Sequence, residues 1–214
     1  MLRETRTENG AVRGIPATDP RITAFKGIPF AAPPVGENRW RAPQPAQDWE
    51  GIRDCARFGP ISMQERPGAG GGFYDREWHV DPDIPMSEDC LYLNVWTPAK
   101  TGTERLPVMV WIFGGGMTCG YTAEMEFDGE RIARRGVVLV SVNYRLNAFG
   151  FLAHPELTEA ADRGGATNLV CWISAPGSRG CGGTSPPLAE IRRASRYSAN
   201  PREAEAPGCR WFRR

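Results

Sequence analysis

The sequence lacks the features that mark nucleic-acid-binding and membrane proteins. Its 26 basic and 25 acidic residues leave a formal net charge of +1, so no overall field attracts nucleic acid or an acidic surface. No stretch reaches the roughly 18 consecutive apolar residues of a membrane helix. The first residues, MLRETRTENGAVRGIPATDPR, hold no apolar run that would act as a signal peptide. We therefore expect no nucleic acid or membrane partner and a cytoplasmic location.

The sequence also lacks the spacings that metal and cofactor sites need. Its six cysteines show no CxxC or zinc-type spacing; they are Cys55, Cys90, Cys119, Cys171, Cys181 and Cys209. They do not suit a small disulfide-stabilised secreted scaffold either, so we expect reduced thiols. Neither GxGxxG nor GxxxxGK[ST] is present. We predict no metal and no cofactor.

Two continuous apolar runs indicate the fold class. LPVMVWIF and GVVLVSVNYR predict strands covered by helices in a largely parallel sheet, and the second is rich in β-branched valine. Between them, AEMEFDGERIARR has helix-forming composition and ends at Gly136, as a crossover helix would. Strand, glycine turn, helix and strand make a βαβ-like unit. The sequence therefore predicts an α/β domain.

The residues before these runs predict strands and loops. AFKGIPFAAPPVGENRWRAPQPAQDWEG alternates short apolar groups with proline and glycine, which indicates strands and turns with little helix. PGAGGGFYDREWHVDPDIP is typical of a surface loop. CLYLNVWTP alternates enough to predict a further strand.

The stretch FGGGMTCG, at the end of the first apolar run, is the main candidate for chemistry. Glycines lack a Cβ atom, so the backbone adopts positive φ and a ligand approaches the N–H groups closely. Two N–H groups aimed at one point form an oxyanion hole, which stabilises a tetrahedral acyl-transfer intermediate. A tight turn or a flexible loop is the simpler explanation of three glycines alone, and phosphate binding is the weaker alternative.

Four segments, taken together, resemble one family. They are FKGIPFAAPPVGENRWRAP, SEDCLYLNVWTPA, PVMVWIFGGGMTCG and VVLVSVNYRLNAFGFLA. From about Gly10 to about Leu169 the chain resembles the type-B carboxylesterases, the cholinesterase-like branch of the α/β-hydrolases. The resemblance implies an α/β-hydrolase fold and the hydrolysis of small carboxylic esters through an acyl-serine intermediate.

The resemblance assigns roles to the glycine turn. Gly115 and Gly116 match the two glycines whose backbone N–H groups form the family's oxyanion hole, and Gly114 matches the glycine that opens the turn. Phe113 stands where many members have histidine, and Met117 stands where many have phenylalanine. We therefore expect an oxyanion hole with different packing around it.

A second matching motif has a supporting role in the family. Ser87, Glu88 and Asp89 match the SED signature, which implies buried hydrogen bonds and ion pairs. Cys90 matches a cysteine that is disulfide-bonded in secreted members. The position of its usual partner falls at Ser62, so the resemblance implies that this bridge is absent.

The nucleophile that the family requires is missing from these 214 residues. In the family a serine lies on a GxSxG elbow beyond the glycine turn, and its acid and base follow it. No GxSxG occurs here, and His79 and His154 precede the elbow position, so neither matches the catalytic base. Five serines beyond the resemblance lack elbow flanks: Ser174, Ser178, Ser185, Ser195 and Ser198.

A one-base shift in the reading frame explains this loss. The codons AAC CTG GTC TGC TGG ATC AGC spell NLVCWIS, and one added G gives AAC CTG GGT CTG CTG GAT CAG, or NLGLLDQ, which resembles the family. Further on, RYSANPRE is compatible with VFGESAG in the neighbouring frame. We therefore predict a frameshift after Leu169. The alternative is a genuine disordered basic tail rich in Arg, Pro, Gly and Ser.

These observations predict a truncated α/β-hydrolase fold. Residues 1–169 are the N-terminal part of a carboxylesterase domain, and residues 170–214 are an out-of-frame or disordered tail. The chain keeps the oxyanion glycines but no catalytic triad, so we expect it to be inactive. The alternative is a non-catalytic cholinesterase-like binding module, because some cholinesterase-like proteins serve in adhesion after losing the triad. Sheet edges left bare by missing strands would favour aggregation.

Overall fold

The computed structural model describes residues 1–78, 80–159 and 196–199. Within them the chain forms the strands β1 Glu4–Arg6, β2 Ala11–Arg13, β3 Ile15–Pro16, β4 Thr23–Pro29, β5 Ile52–Asp54, β6 Tyr92–Thr97, β7 Val108–Ile112, β8 Val138–Val142 and β9 Arg196–Ala199. The short α-helices are α1 Phe73–Glu77, α2 Glu130–Ala133, α3 Asn147–Phe151 and α4 Pro155–Glu159. Gly36–Asn38 and Met125–Phe127 are single 3-10 turns.

The strands form two sheets. A three-stranded sheet has the order β1-β2-β5, and a six-stranded sheet has the order β3-β4-β6-β8-β7-β9. β7 pairs in parallel with β8, so that Trp111 lies opposite Ser141. β9 pairs in parallel with the other side of β7, so that Ala199 lies opposite Ile112. The α/β class and the strand–crossover–strand unit are confirmed.

The larger sheet is mixed, and the prediction of a largely parallel sheet was wrong. β4 pairs antiparallel with β3 and with β6, and β6 pairs antiparallel with β8. Parallel neighbours need a crossover of about a dozen residues or more. Only residues 17–22 join β3 to β4, so these two strands form a hairpin. In the described part of the chain, parallel pairing within this sheet involves only β7, β8 and β9.

The crossover from β7 to β8 is less helical than its composition predicts. It contains the 3-10 turn Met125–Phe127 and a single turn of α-helix, α2. At Gly129 an added Cβ would lie 2.6 Å from the Leu139 side chain and 2.8 Å from the Trp96 ring, so the chain is pressed onto the sheet before α2 begins. Gly136, at φ +84°, follows the helical segment as predicted.

The segment predicted as a surface loop contains a short helix. Phe73–Glu77 form α1, which begins where the Gly72 N–H donates to the Asp75 carboxylate at 2.9 Å. A carboxylate in the first helical turn satisfies an amide that would otherwise lack a partner. His79, in the same segment, lies outside the described residues.

The core lies on both faces of the larger sheet. Side chains alternate along β8, so Val140 and Val142 pack in one cluster and Leu139 in the other. Trp96 and Ala133 join Leu139, which places α2 on that face. Burying an aliphatic side chain the size of valine or leucine contributes about 2 kcal/mol to the stability of the fold. The two faces together fix the position of the carboxyl ends of β7 and β8.

A cavity of about 70 Å³ lies between the N-terminal strands and the larger sheet. Its wall includes Val12 of β2, Phe25 of β4, Val95 of β6 and Val140 of β8. These residues belong to the apolar core of that face or pack against it. The glycine turn after β7 does not line this cavity, so the cavity is distinct from the candidate site described below.

Most of the predicted tail lies outside the described residues. Residues 160–195 and 200–214 are not described, and Leu169, three cysteines and four of the five tail serines are among them. The exception is Arg196–Ala199, which forms β9. Across the described ranges, the helices are all too short or too polar to cross a membrane.

Candidate functional site

The glycine turn directly follows the carboxyl end of β7. Gly115 and Gly116 have φ values of +148° and +64°. The Gly115 carbonyl oxygen accepts the N–H groups of Thr118 at 3.2 Å and Cys119 at 3.3 Å. A Cβ at Gly115 would lie 1.9 Å from the Cys119 carbonyl oxygen, which no side chain can tolerate. The folded turn therefore requires glycine at position 115.

The same turn leaves two successive N–H groups available. Among the described residues, the N–H groups of Gly115 and Gly116 donate to no acceptor. Gly115 is half-buried and Gly116 is exposed, so both groups lie near the surface. Successive amide donors of this kind can hold one anionic oxygen.

Gln64 holds the far end of the turn. Its side-chain amide pairs with the backbone of Gly120 in both directions: the Gly120 N–H donates to Oε1 at 2.8 Å, and Nε2 donates to the Gly120 carbonyl at 3.1 Å. Nε2 also donates to the Ser62 carbonyl at 3.1 Å. This contact joins residues 56 positions apart, and no local sequence pattern indicates it.

Asn147, the first residue of α3, holds the middle of the turn. Its N–H donates to the Met117 carbonyl at 2.9 Å. Its Nδ2 donates to the carbonyls of Thr118 at 3.0 Å and Met63 at 3.1 Å. Asn147 has φ +54°, a left-handed conformation that asparagine tolerates better than most residues. The one sequence signal for this role is an asparagine at the start of a short helix.

Phe113 and Tyr144 fix the entrance to the turn. Phe113, the residue between β7 and Gly114, is 1% exposed, and its ring stacks on the Tyr144 ring with centroids 4.3 Å apart. The Tyr144 hydroxyl donates to the Phe113 carbonyl at 2.6 Å. The aromatic residue at position 113 thus packs against the segment after β8.

A buried polar network anchors the chain after the turn. The Thr122 N–H and hydroxyl both donate to Asn143 Oδ1, at 3.0 and 2.9 Å. Asn94 Nδ2 donates to the Thr122 hydroxyl at 2.8 Å and to the Ser141 hydroxyl at 3.1 Å. Because these buried groups are paired, the network stabilises one position of the chain.

The SED residues bind to one another, to Arg39 and to Tyr92, and none of these contacts involves the glycine turn. The Arg39 guanidinium donates two hydrogen bonds to the Glu88 carboxylate, at 2.5 and 2.7 Å. This pair lowers the pKa of Glu88. The Asp89 N–H donates to the Ser87 hydroxyl at 3.0 Å, and Asp89 accepts the Tyr92 hydroxyl at 3.0 Å. A supporting role for the motif stays a prediction.

Cys90 is a free thiol buried next to Ser62. Burial raises the pKa of the Cys90 thiol to about 12, and the neighbouring Ser62 side chain opposes that shift. Ser62 also accepts the Leu146 N–H at 2.9 Å. The serine therefore occupies the place opposite Cys90 that the family resemblance gives to a second cysteine.

The sequence of the chain matches the family model described as Carboxylesterase family over residues 2–163. This match begins before the predicted Gly10 and ends before the predicted Leu169. The chain is 43% identical over 162 residues to fumonisin B1 esterase of Sphingopyxis macrogoltabida, covering 76% of this chain and 28% of that protein. It is 41% identical over 158 residues to acetylcholinesterase of Bungarus fasciatus, covering 72% of this chain and 26% of that protein. The chain thus spans little more than a quarter of these relatives.

Solved structures give the same result. The carboxylesterase of Geobacillus stearothermophilus superimposes with a TM-score of 0.58 at 38% identity, covering 70% of this chain and 28% of that chain. A PNB esterase superimposes with a TM-score of 0.64 at 36% identity, covering 79% of this chain and 32% of that chain. Both are esterases by name. The chain belongs to the carboxylesterase family.

Proposed function

We propose that Gly115 and Gly116 form the oxyanion hole of a serine carboxylesterase. The observation that carries this proposal is the pair of N–H groups at the carboxyl end of β7 that have no acceptor within the described part of the chain. In ester hydrolysis the carbonyl oxygen becomes an anion as a serine attacks, and fixed amide donors stabilise it in the transition state. Gln64 and Asn147 hold the turn in place, so little reorganisation accompanies the charge development.

The substrate class we propose is a small carboxylic ester. Fumonisin B1 esterase and acetylcholinesterase, which the chain resembles, are esterases by name. No residue of the described part is assigned to an acyl or alcohol pocket, because the chain spans little more than a quarter of these relatives.

We further propose that this 214-residue polypeptide does not hydrolyse esters. An oxyanion hole lowers a barrier only when a nucleophile attacks beside it. The 214 residues contain no GxSxG elbow, and His154 is exposed between α3 and α4. Without an activated serine the glycine turn stabilises no intermediate.

A reading-frame shift after Leu169 accounts for the missing elbow. β9 supports this proposal because its codons belong to the stretch that is compatible with VFGESAG in the neighbouring frame. β9 lies parallel to β7, and Ala199 lies opposite Ile112, at the edge where the glycine turn begins. A serine on an elbow after this strand would therefore emerge beside the two glycine N–H groups.

Sequencing the gene across the codon for Leu169 tests the frameshift, and we expect one base fewer than the carboxylesterase frame needs.

Assays with a p-nitrophenyl ester then compare the 214-residue chain with the product of the base-restored gene. We expect turnover by the restored product alone, and a serine-to-alanine change in its GESAG should abolish it. An intact frame would support a genuine tail, and turnover by the 214-residue chain that a serine-directed phosphonate blocks would overturn the inactivity.

A further inference from the structure

Across the described ranges, three non-glycine residues have positive φ, and hydrogen bonds link the segments that carry them. Trp40 has φ +60°, Met117 has φ +66° and Asn147 has φ +54°. The Asn147 N–H donates to the Met117 carbonyl, and the Trp40 indole Nε1 donates to the carbonyl of Ala148, the next residue, at 2.8 Å. A left-handed conformation is strained for a bulky side chain, and such strain concentrates at functional sites. The three residues therefore indicate a common role at the glycine turn.

Trp40 occupies a backbone position that favours glycine. Arg39 has φ −61° and ψ 135°, and Trp40 follows it with φ +60°. The Arg41 N–H donates to the Asn38 carbonyl at 3.2 Å. These features are those of a type II turn over residues 38–41, whose third position is usually glycine. A tryptophan is strained in this place, so its side chain should make a contact that compensates for the strain.

The Trp40 indole makes that contact at α3. Ala148 belongs to a helix of five residues, and the last four carbonyls of any helix have no partner inside it. The indole N–H provides a partner for the Ala148 carbonyl from a residue 108 positions earlier in the chain. Since the Trp40 side chain is half-buried, water competes only in part for this hydrogen bond.

The residues on both sides of Trp40 are fixed as well. The Arg39 guanidinium donates two hydrogen bonds to the Glu88 carboxylate, at 2.5 and 2.7 Å. The Arg41 carbonyl accepts a hydrogen bond from Arg145 Nη2 at 3.0 Å. Trp40 therefore reaches α3 from a turn that is held at both ends, and its indole has a defined position.

α3 transmits this position to the glycine turn. Asn147 donates its N–H to the Met117 carbonyl at 2.9 Å and its Nδ2 to the Thr118 carbonyl at 3.0 Å. The Thr118 N–H in turn donates to the Gly115 carbonyl at 3.2 Å. A shift of α3 would move the peptide groups of residues 117 and 118. It would thereby reorient the neighbouring N–H groups of Gly115 and Gly116.

We propose that Trp40 is a positioning residue for the oxyanion hole and acts through α3. This inference rests on the proposed function of Gly115 and Gly116. The indole N–H holds the start of α3, and Asn147 holds the turn in the conformation that makes the two glycine N–H groups available. Because Trp40 acts through α3, its role is to position these donors and not to take part in the reaction.

Amide hydrogen exchange in the 214-residue chain tests this role. Trp40→Phe keeps an aromatic ring and removes the indole donor. We expect the N–H groups of Asn147, Thr118 and Cys119 to exchange about fivefold faster, as the loss of one neutral hydrogen bond predicts. The amides of β8 should keep their wild-type rates, because the contact stabilises the turn locally.

Trp49→Phe is the matched control. The Trp49 indole also donates to a backbone carbonyl at 2.8 Å, that of Ala11 in β2. Its loss should leave hydrogen exchange in the glycine turn unchanged. Wild-type exchange rates in the turn of Trp40→Phe would overturn the inference. Equal acceleration in the turn and in β8 would also overturn it, because the contact would then contribute only to global stability.

Enzyme kinetics separate this inference from the proposed function. In the product of the base-restored gene, Trp40→Phe should lower kcat for a p-nitrophenyl ester about fivefold and leave KM unchanged, because the oxyanion develops only in the transition state. Trp49→Phe should change neither constant. An unchanged kcat in Trp40→Phe would overturn the positioning role while the proposed function stands. Absence of turnover by the restored product would overturn the proposed function, and the exchange rates would still decide whether Trp40 holds the turn.

Discussion

Tyr144 donates its phenolic hydrogen to the backbone carbonyl of Phe113 over 2.6 Å, and the two rings stack with their centroids 4.3 Å apart. Both residues are 1% exposed, so water does not compete for this contact. The contact joins the segment after β8 to the last residue before the glycine turn. The direction in which the turn leaves β7 is therefore set by a residue 31 positions away.

Removing the Tyr144 hydroxyl should destabilise the fold without disturbing the ring stack. Tyr144→Phe leaves the buried Phe113 carbonyl without this donor, so we expect the free energy of unfolding to fall by about 1–2 kcal/mol. Urea denaturation of the two chains measures the difference. Tyr92→Phe is the control, because the Tyr92 hydroxyl is only partly buried and binds Asp89. An equal loss in both variants would contradict the role given to Tyr144.

Alanine should be tolerated differently at the two oxyanion glycines. Gly115→Ala places a Cβ 1.9 Å from the Cys119 carbonyl oxygen, whereas Gly116→Ala places it in open space at φ +64°. We expect a loss of about 3 kcal/mol at position 115, from backbone strain and overpacking, and about 1 kcal/mol at position 116, from strain alone. Thermal unfolding of both variants tests the order. A reversed order would mean that the turn has a different conformation.

A second cysteine at position 62 should restore a disulfide. Because Ser62 lies close enough to the Cys90 thiol to lower its pKa, Ser62→Cys should bridge to Cys90 under oxidising conditions. Closing this loop should stabilise the chain by about 3 kcal/mol relative to its reduced form. Thiol titration before and after reduction counts the two cysteines that are consumed. Ser62→Ala is the control, and a thiol count unchanged by oxidation in Ser62→Cys would contradict the predicted geometry.

Glu88 should contribute to the acid sensitivity of the chain. Arg39 lowers the pKa of Glu88 in the folded state below its unfolded value. This contribution is therefore complete above the ordinary glutamate pKa of about 4.3 and is lost as the pH falls through the folded value. We expect Glu88→Gln to be less stable than wild type at pH 7 and the gap to close under acid. Urea midpoints from pH 7 to pH 3 measure it.

The control for Glu88 is Glu37→Gln, which removes an exposed carboxylate. Among the described residues no ion pair includes Glu37, so its loss should leave the pH profile nearly unchanged. If Glu88→Gln and Glu37→Gln give the same dependence of the urea midpoint on pH, the ion pair between Arg39 and Glu88 contributes nothing to stability in solution.

The local features of the fold were predictable because they depend on neighbouring residues. The strands at β6, β7 and β8 and the stop at Gly136 follow from short-range sequence pattern and glycine conformation. The mixed sheet was not predictable, since pairing depends on contacts between distant segments. The crossover helix was predicted too long, because amino-acid composition does not predict the close packing of Gly129 against Trp96 and Leu139.

The sequence by itself determined the family, the glycine turn and the absence of a GxSxG elbow from these 214 residues, because each is a matter of residue order. Only the tertiary structure decided what surrounds them. Gln64 and Asn147 reach the turn across 56 and 29 positions, and the burial of Arg145, whose Nε and Nη1 have no hydrogen-bond partner among the described residues, depends on how the chain around it packs. The physical reason is that a hydrogen bond or a buried charge depends on which groups are close in space. The order of residues along the chain predicts such proximity only for residues that are near one another in the sequence.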